Sequence, residues 1–437
     1  MAGSFSAETR RAGALPRLAL ALASVVVGLA APPSAASAAG WQPPVTLSAP
    51  GDRAQRPELA FDRRGVALVV WRQAGDIQAA LRPGAGFRAP QTLGPGGSPQ
   101  VGFDASGDAT VLWVRRGDEI GGGCSLCVEV ADRPAGGPFG LPQLVPVEGA
   151  YPALAVDPAG DALVLVRHPG GSAKPILAAF RPAGGAFGAV RKLAGGLTSE
   201  PLVALDRRGG AVAIWSRGVH IEGAFARRGG RFGKVRFVGP GDIPQLAVDA
   251  RGDALAVWRL GIPPKARVLA AFRPAGGRFG KPQRISSSDA GEETHGALDS
   301  RGNALAIWRR RDRNGHDNWV EAAFRPVRGR FGKPQRLSRR SAGATGAQVA
   351  FDRRGNALAI WALRLRHDRG TLLQAAYRPA GGRFRKPRTI ARSEGIGVIR
   401  LSFAPSGEAL AAWEDFGSGQ LPGPGSRIRT AAFVPTR

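Results

Sequence analysis

The sequence predicts an all-β protein, an eight-bladed β-propeller of four-stranded antiparallel blades. Three observations predict it: one phrase written eight times, Pro and Gly too dense for helices, and chain ends that complete each other. The phrase is clearest as FDRRGNALAIW, Phe351 to Trp361. Its copies align Asp62, Asp104, Asp157, Asp206, Asp249, Asp299 and Asp352, with Ala404 in the eighth place. Three residues on stands Gly65, Gly107, Gly160, Gly209, Gly252, Gly302, Gly355 or Gly407. Nine residues after the Asp stands Trp71, Trp113, Trp215, Trp258, Trp308, Trp361 or Trp413, with Val166 in the third copy. The period is 42 to 53 residues, and a fixed period in this range marks a repeat architecture.

A second phrase follows in each copy. AAFRPAGGRFGKPQRI (270–285) recurs as AAFRPVRGRFGKPQRL (322–337) and AAYRPAGGRFRKPRTI (375–390). Pro and Gly at this density leave room for no helix longer than a turn or two. The intervening Val-, Ala-, Leu- and Phe-rich stretches read as strands, four per copy, which is the pattern of a propeller blade. Repeats start near residues 57, 99, 152, 201, 244, 294, 346 and 398.

The last copy ends at RTAAFVPTR, after its third strand. GWQPPVTLS, from Gly40, supplies the missing fourth, with Trp41 where other copies have Phe. A strand over 41–47 therefore completes blade eight and closes the ring, which removes an exposed sheet edge. Residues 40–437 form one domain.

Residues 1–39 read as a secretory signal peptide. Arg10, Arg11 and Arg17 precede the apolar run 18–31, and small residues surround an A-x-A site at 36–38. No later apolar stretch is long enough to span a membrane. The expected product is a secreted, extracellular or envelope-associated monomer.

The net charge is +28, from 61 Lys and Arg against 33 Asp and Glu. Such a field attracts polyanions. An exported chain has no physiological nucleic-acid partner, so an anionic glycan or cell-envelope polymer is the expected ligand. An Arg-rich, Lys-poor composition is also what permissive surface positions accumulate in a GC-rich coding sequence.

Within the phrase, Asp at the first position bonds its side chain to backbone N–H groups further along the turn, and Gly takes the positive φ that closes it. The Trp falls on the second strand, facing a neighbouring blade. Asp62, Gly65, Trp71, Asp104, Gly107, Trp113, Asp249, Gly252, Trp258, Asp299, Gly302, Trp308, Asp352, Gly355 and Trp361 are accordingly structural. DSRGNALAIW (299–308) and DRRGNALAIW (352–361) resemble the Asp-x-x-Gly-Asn turns of NHL-type and related bacterial propeller repeats. That resemblance implies the fold and is silent about activity. The Asp box of sialidases is not matched, because Asp and Gly here stand three apart.

The first-to-second and third-to-fourth turns share one face and hardly vary in length, and they carry much Arg. The opposite face has loops of variable length, where recognition is usually placed. Its densest polar cluster joins SSDAGEETHG (287–296) to RRRDRNGHDNW (309–319) in blade six. Glu292, Glu293, His295, Asp312, Asn314, His316, Asp317 and Trp319 are the candidate binding residues. Asp312, Asn314 and Asp317 loosely suit calcium around Gly315, though without the full EF-hand spacing. No cofactor is otherwise implied, and no metal motif is present.

Catalytic patterns are sparse. There is no H-E-x-x-H, no G-x-S-x-G and no phosphate loop. Asp118, Glu119, Asp289, Glu292, Glu293 and Asp317 could supply a glycosidase pair, yet nothing in the sequence pairs them. A sialidase-type site would want a tyrosine nucleophile, and Tyr151 and Tyr377 are the only tyrosines. The expected function is a binding or scaffold module, and a carbohydrate-active enzyme on the variable face is the alternative. Cys124 and Cys127, in an exported chain, are expected to form a local disulfide.

Overall fold

The computed structural model describes residues 40–435 except 52, 118–123, 171–173, 230, 263–264, 287–289, 313–316, 342, 368, 418–422 and 424, and gives residues 290–292 as backbone only. The signal-peptide reading thus lies outside the described residues.

Eight antiparallel sheets follow one another along the chain, each a meander of four strands. Blade one runs Ala54–Phe61, Ala67–Gln73, Asp76–Arg82 and Gln91–Pro95. The first strand of each blade contacts the first strands of both neighbours, and the ring closes where Ala54–Phe61 meets Ile396–Phe403 of blade eight. First strands therefore line the axis. In blade eight the fourth strand comes from the start of the domain, pairing Trp41 with Phe433 and Val45 with Thr430. It is two short pieces, Gly40–Trp41 and Val45–Thr46, rather than one strand over 41–47. Pro43 and Pro44 lie between them and have no N–H to donate. Ser48 supports the alignment: its Oγ accepts from Ile428 N–H, as Ser286 and Ser338 do from Val268 and Val320.

The repeated turn is built as a small hydrogen-bonded unit. Asp62 Oδ1 accepts from the N–H of Arg64 at 2.9 Å and of Val66 at 2.7 Å, with Gly65 at φ +87°. A second acceptor follows the glycine in most copies. Asp253 Oδ1 accepts from Ala275 N–H at 2.8 Å and Asn356 Oδ1 from Ala380 N–H at 2.9 Å. That bond ties the first turn of a blade to its second, so the residue after the glycine is structural as well.

Three devices join neighbouring blades. The first is the Trp, fully buried in all seven copies and packed on the preceding blade. Trp361 meets Leu305, Ile307 and Val320 of blade six, and Trp71 meets Leu410 and Ile428 across the closure. At Val166 the gap is filled by Val128, Val130, Val145 and Val147.

The second device takes some of the constant-face arginines out of solvent. The Arg of the F-R-P step is buried. Arg325 lies over the Phe272 ring and Arg378 over the Phe324 ring, each at 3.9 Å, and Arg273 lies over Phe225 at 4.2 Å. Each guanidinium thus caps the aromatic ring of the preceding blade. Arg273 and Arg325 also donate to the carbonyls of Gly252 and Gly302 in their own blades. Burial lowers the pKa of Arg273, Arg325 and Arg378 from its ordinary value. Where the preceding blade offers an acid in place of the ring, the contact becomes an ion pair, as with Arg181 and Asp132 at 2.5 Å.

The third device is a glutamine staple. Gln283 Nε2 donates to Phe331 O at 2.8 Å while its Oε1 accepts from Phe331 N–H at 3.0 Å. Gln335 does the same to Phe384. These bonds replace regular fourth-strand pairing over the G-K-P step, so the strand itself is only Gln283–Arg284 in blade five.

Candidate functional site

The blade-six cluster divides in two. Ala290–Leu298 is the axial strand of the blade and not a variable loop, because the Thr-His-Gly-Ala-Leu run pairs with Trp308–Ala304. Glu293 sits at φ +61° in a register shift of that strand. Its carboxylate accepts from Gly346 N–H at 2.6 Å and pairs with Arg309 at 3.3 Å. His295 Nδ1 accepts from Val349 N–H at 3.4 Å. Loss of hydration, with the Arg400 charge adding to it, lowers its pKa to about 4.

The other half lies between the second and third strands. Asp312 Oδ1 accepts from Asp317 N–H at 3.2 Å, and the Asp317 carboxylate pairs with Arg366 of blade seven. Trp319 is 6% exposed, donates to Glu321 Oε1 at 2.9 Å and has the Arg310 and Arg340 guanidinium groups against its ring. Asn314, His316, Asp118, Glu119 and Asp289 lie outside the described residues, as does the Glu292 side chain. Among the described residues no group of three His, Cys, Asp or Glu could hold a metal ion.

A second feature escapes sequence reading. The axial strands of most blades shift register near their start, at a residue with positive φ. Arg56 (+54°), Ser98 (+55°), Tyr151 (+53°), Ile243 (+50°), Glu293 (+61°) and Gly346 (+64°) occupy this position in turn. Such bulges re-aim side chains, and left-handed backbone at non-glycine residues is strained. Topology places this ring at the axial mouth on the variable-loop face. The sequence signal is an X-Pro step after the ring residue: Arg56-Pro57, Ser98-Pro99, Tyr151-Pro152, Glu200-Pro201 and Ile243-Pro244. Glu200, at the same repeat position in blade four, has its carboxyl pKa raised by burial. Just inside, Arg400 grips Glu58 with two bonds, at 2.8 and 2.6 Å, across the ring closure.

The state of His295 makes a pH prediction. An unfolded His binds a proton near pH 6.5, and this one does so only near 4. The unfolded chain therefore holds more protons across that window, and stability falls as pH drops through it, levelling below about 4. The stability gap between wild type and His295→Asn should narrow by about 3 kcal/mol from pH 7 to pH 4. A constant gap in urea titrations would show that His295 ionises normally.

On the opposite face the acids are occupied. The turn carboxylates, from Asp62 to Asp352, accept backbone N–H groups of their own turns. Asp108, Asp161 and Asp253 accept from the companion turns. The pairs Arg63–Arg64, Arg207–Arg208 and Arg353–Arg354 are exposed there, as are Lys281, Lys333 and Lys386. Arg228 and Arg251 are instead engaged with Asp161 and Asp249. The basic character of this face thus comes from a subset of its arginines. Cys124 and Cys127 are joined to each other, three residues apart.

Among solved structures the chain is similar to the Dos1 propeller, at a TM-score of 0.54 and 8% identity, covering 92% of this chain and 97% of that one. It is also similar to a PL25 ulvan lyase, at a TM-score of 0.52 and 11% identity over 87% and 94% of the two chains. The polysaccharide lyase Uly1 matches at a TM-score of 0.50 and 9% identity over 77% and 89%. The likeness is one of fold. No protein-family model matches the chain, and no curated protein does. No described helix is long and apolar enough to cross a membrane.

Proposed function

We propose that the protein is a secreted binding module that holds an anionic polysaccharide of the cell envelope or its surroundings on the constant-turn face. One observation carries this reading: the carboxylates of that face are hydrogen-bonded into turns, while paired arginines and a set of lysines project from it. The same motif that builds the ring removes its own negative charge from contention. Exposed cations of this kind attract a polyanion, and salt weakens the attraction. Two of the neighbours of like fold are described as polysaccharide lyases, which supports a glycan as the ligand class.

Retention of the mature chain on immobilised heparin and on polygalacturonate, at two salt concentrations, tests the proposal. Replacing Arg63, Arg64, Arg207, Arg208, Arg353 and Arg354 together by Ala should weaken binding by roughly tenfold or more and flatten its salt dependence. Absence of retention at low salt, or equal retention by the sextuple variant, would overturn it. The alternative is a carbohydrate-active enzyme at the axial mouth. It draws on His295, held neutral near Arg400, and on Glu200, whose pKa is raised. Product release from such a polymer that His295→Asn abolishes would favour the enzyme.

A further inference from the structure

The seams between blades are not equivalent, and the seam from blade three to blade four is one of two that lack both the arginine cap and the glutamine staple. Blade four has Ala226 where Arg273, Arg325 and Arg378 stand in later blades. That position therefore supplies no guanidinium to cap Phe180 as the others cap Phe225, Phe272 and Phe324. Blade three also has Arg191 at the place of the stapling Gln283 and Gln335. The nearby Arg228 does not substitute, because its Nε is held by Asp161 at 2.8 Å. Two of the three inter-blade devices, the ring cap and the glutamine staple, are missing together, and Trp215 is the one that remains.

What results is a cavity of about 510 Å3. Leu163, Phe180, Leu193, Leu205 and Phe232 form its apolar lining. Arg191, Lys192, Arg227 and Arg231 also line it, and among the described lining residues there is no carboxylate. The seam between blades seven and eight lacks the same two residues, with Val434 and Arg388 in their places. There Tyr377 and Phe433 stack at 5.8 Å and Trp41 packs against Phe433, so aromatic rings fill the space. At the third seam nothing has grown to fill it.

We propose that this cavity is a binding site for a small anionic amphiphile, a molecule with one negative head on an apolar body. The volume lies within the roughly 300–1,000 Å3 of small-molecule sites. Burial of the tail against Phe180 and the leucines would supply affinity by removing apolar surface from water. The four cations select the head. This ligand class is distinct from the polysaccharide proposed above, and heparin retention is read separately.

Isothermal titration of the full chain with decanoate, below its micelle concentration, tests the assignment, with decyltrimethylammonium as the cationic counterpart. One saturable site for decanoate and none for the cation is expected. Ala226→Arg restores the guanidinium over Phe180, and should weaken decanoate binding roughly tenfold or more without lowering the melting temperature. Arg231→Ala, at an exposed position, should weaken it several-fold and leave stability alone. Equal affinity for the cation, unchanged affinity in both variants, or no saturable binding would each overturn the proposal.

Discussion

Trp258→Ala is expected to lower the melting temperature by several degrees, through a loss of ~3–5 kcal/mol. The indole is fully buried between blades four and five, among Ile214, Ile221 and Val238 of the preceding blade. Its Nε1 donates to Pro240 O at 2.7 Å. The backbone on either side of that proline has been cleared for it. A Cβ on Gly239 would stand 2.6 Å from the indole, and one on Gly241 would stand 2.5 Å from it. Gly96 makes the same allowance for Trp113 at 2.5 Å. A space walled by glycine backbone cannot collapse onto a missing side chain, so the cavity term should be large. A scanning-calorimetry profile like that of the wild type would remove the tryptophans from their inter-blade role.

Glu129→Ala should cost a similar ~3–5 kcal/mol, for an electrostatic reason. Glu129 Oε1 pairs with Arg115 at 2.5 Å, and Oε2 accepts from Trp113 Nε1 at 3.0 Å. The two charged side chains are 8% and 11% exposed, so deleting the carboxylate strands a guanidinium away from water. Replacing both partners by apolar residues of similar volume, as in Arg115→Met with Glu129→Leu, should recover much of the loss. A double-mutant cycle in urea measures the coupling. Additive single losses would show that the pair acts as two unrelated surface charges.

The legible part of this protein is whatever repeats. A residue recurring at one place in seven or eight copies has a role common to all blades, and Asp, Gly and Trp each have a single physical reason to recur there. The arginine of the F-R-P step recurs in six of the eight copies, yet in the sequence it reads as surface charge. Sequence position does not distinguish a guanidinium capping a buried ring from one in solvent. Arg353 and Arg325 look alike in one dimension, and only the neighbouring blade decides which is exposed. The blade-six cluster misleads for a related reason: Glu293 and His295 sit in a charged, loop-like composition but pair as an axial strand. In that strand the polar groups find protein partners, Glu293 with Gly346 and Arg309 and His295 with Val349, so polarity there does not signal a loop.

The candidate sites emerge where the repeat departs from itself. Ala226 and Arg191 are visible as exceptions in an alignment of the copies, but the cavity they leave needs the geometry of two adjacent blades. The amino-acid sequence determined the blade, the number of copies and the closure by the N-terminal strand, because those depend on local turn chemistry and strand periodicity. Tertiary structure alone decided which arginines are buried, which carboxylates are already engaged and which seam is open. Each of those outcomes depends on contacts between residues far apart in the chain, through which a side chain loses or keeps its water.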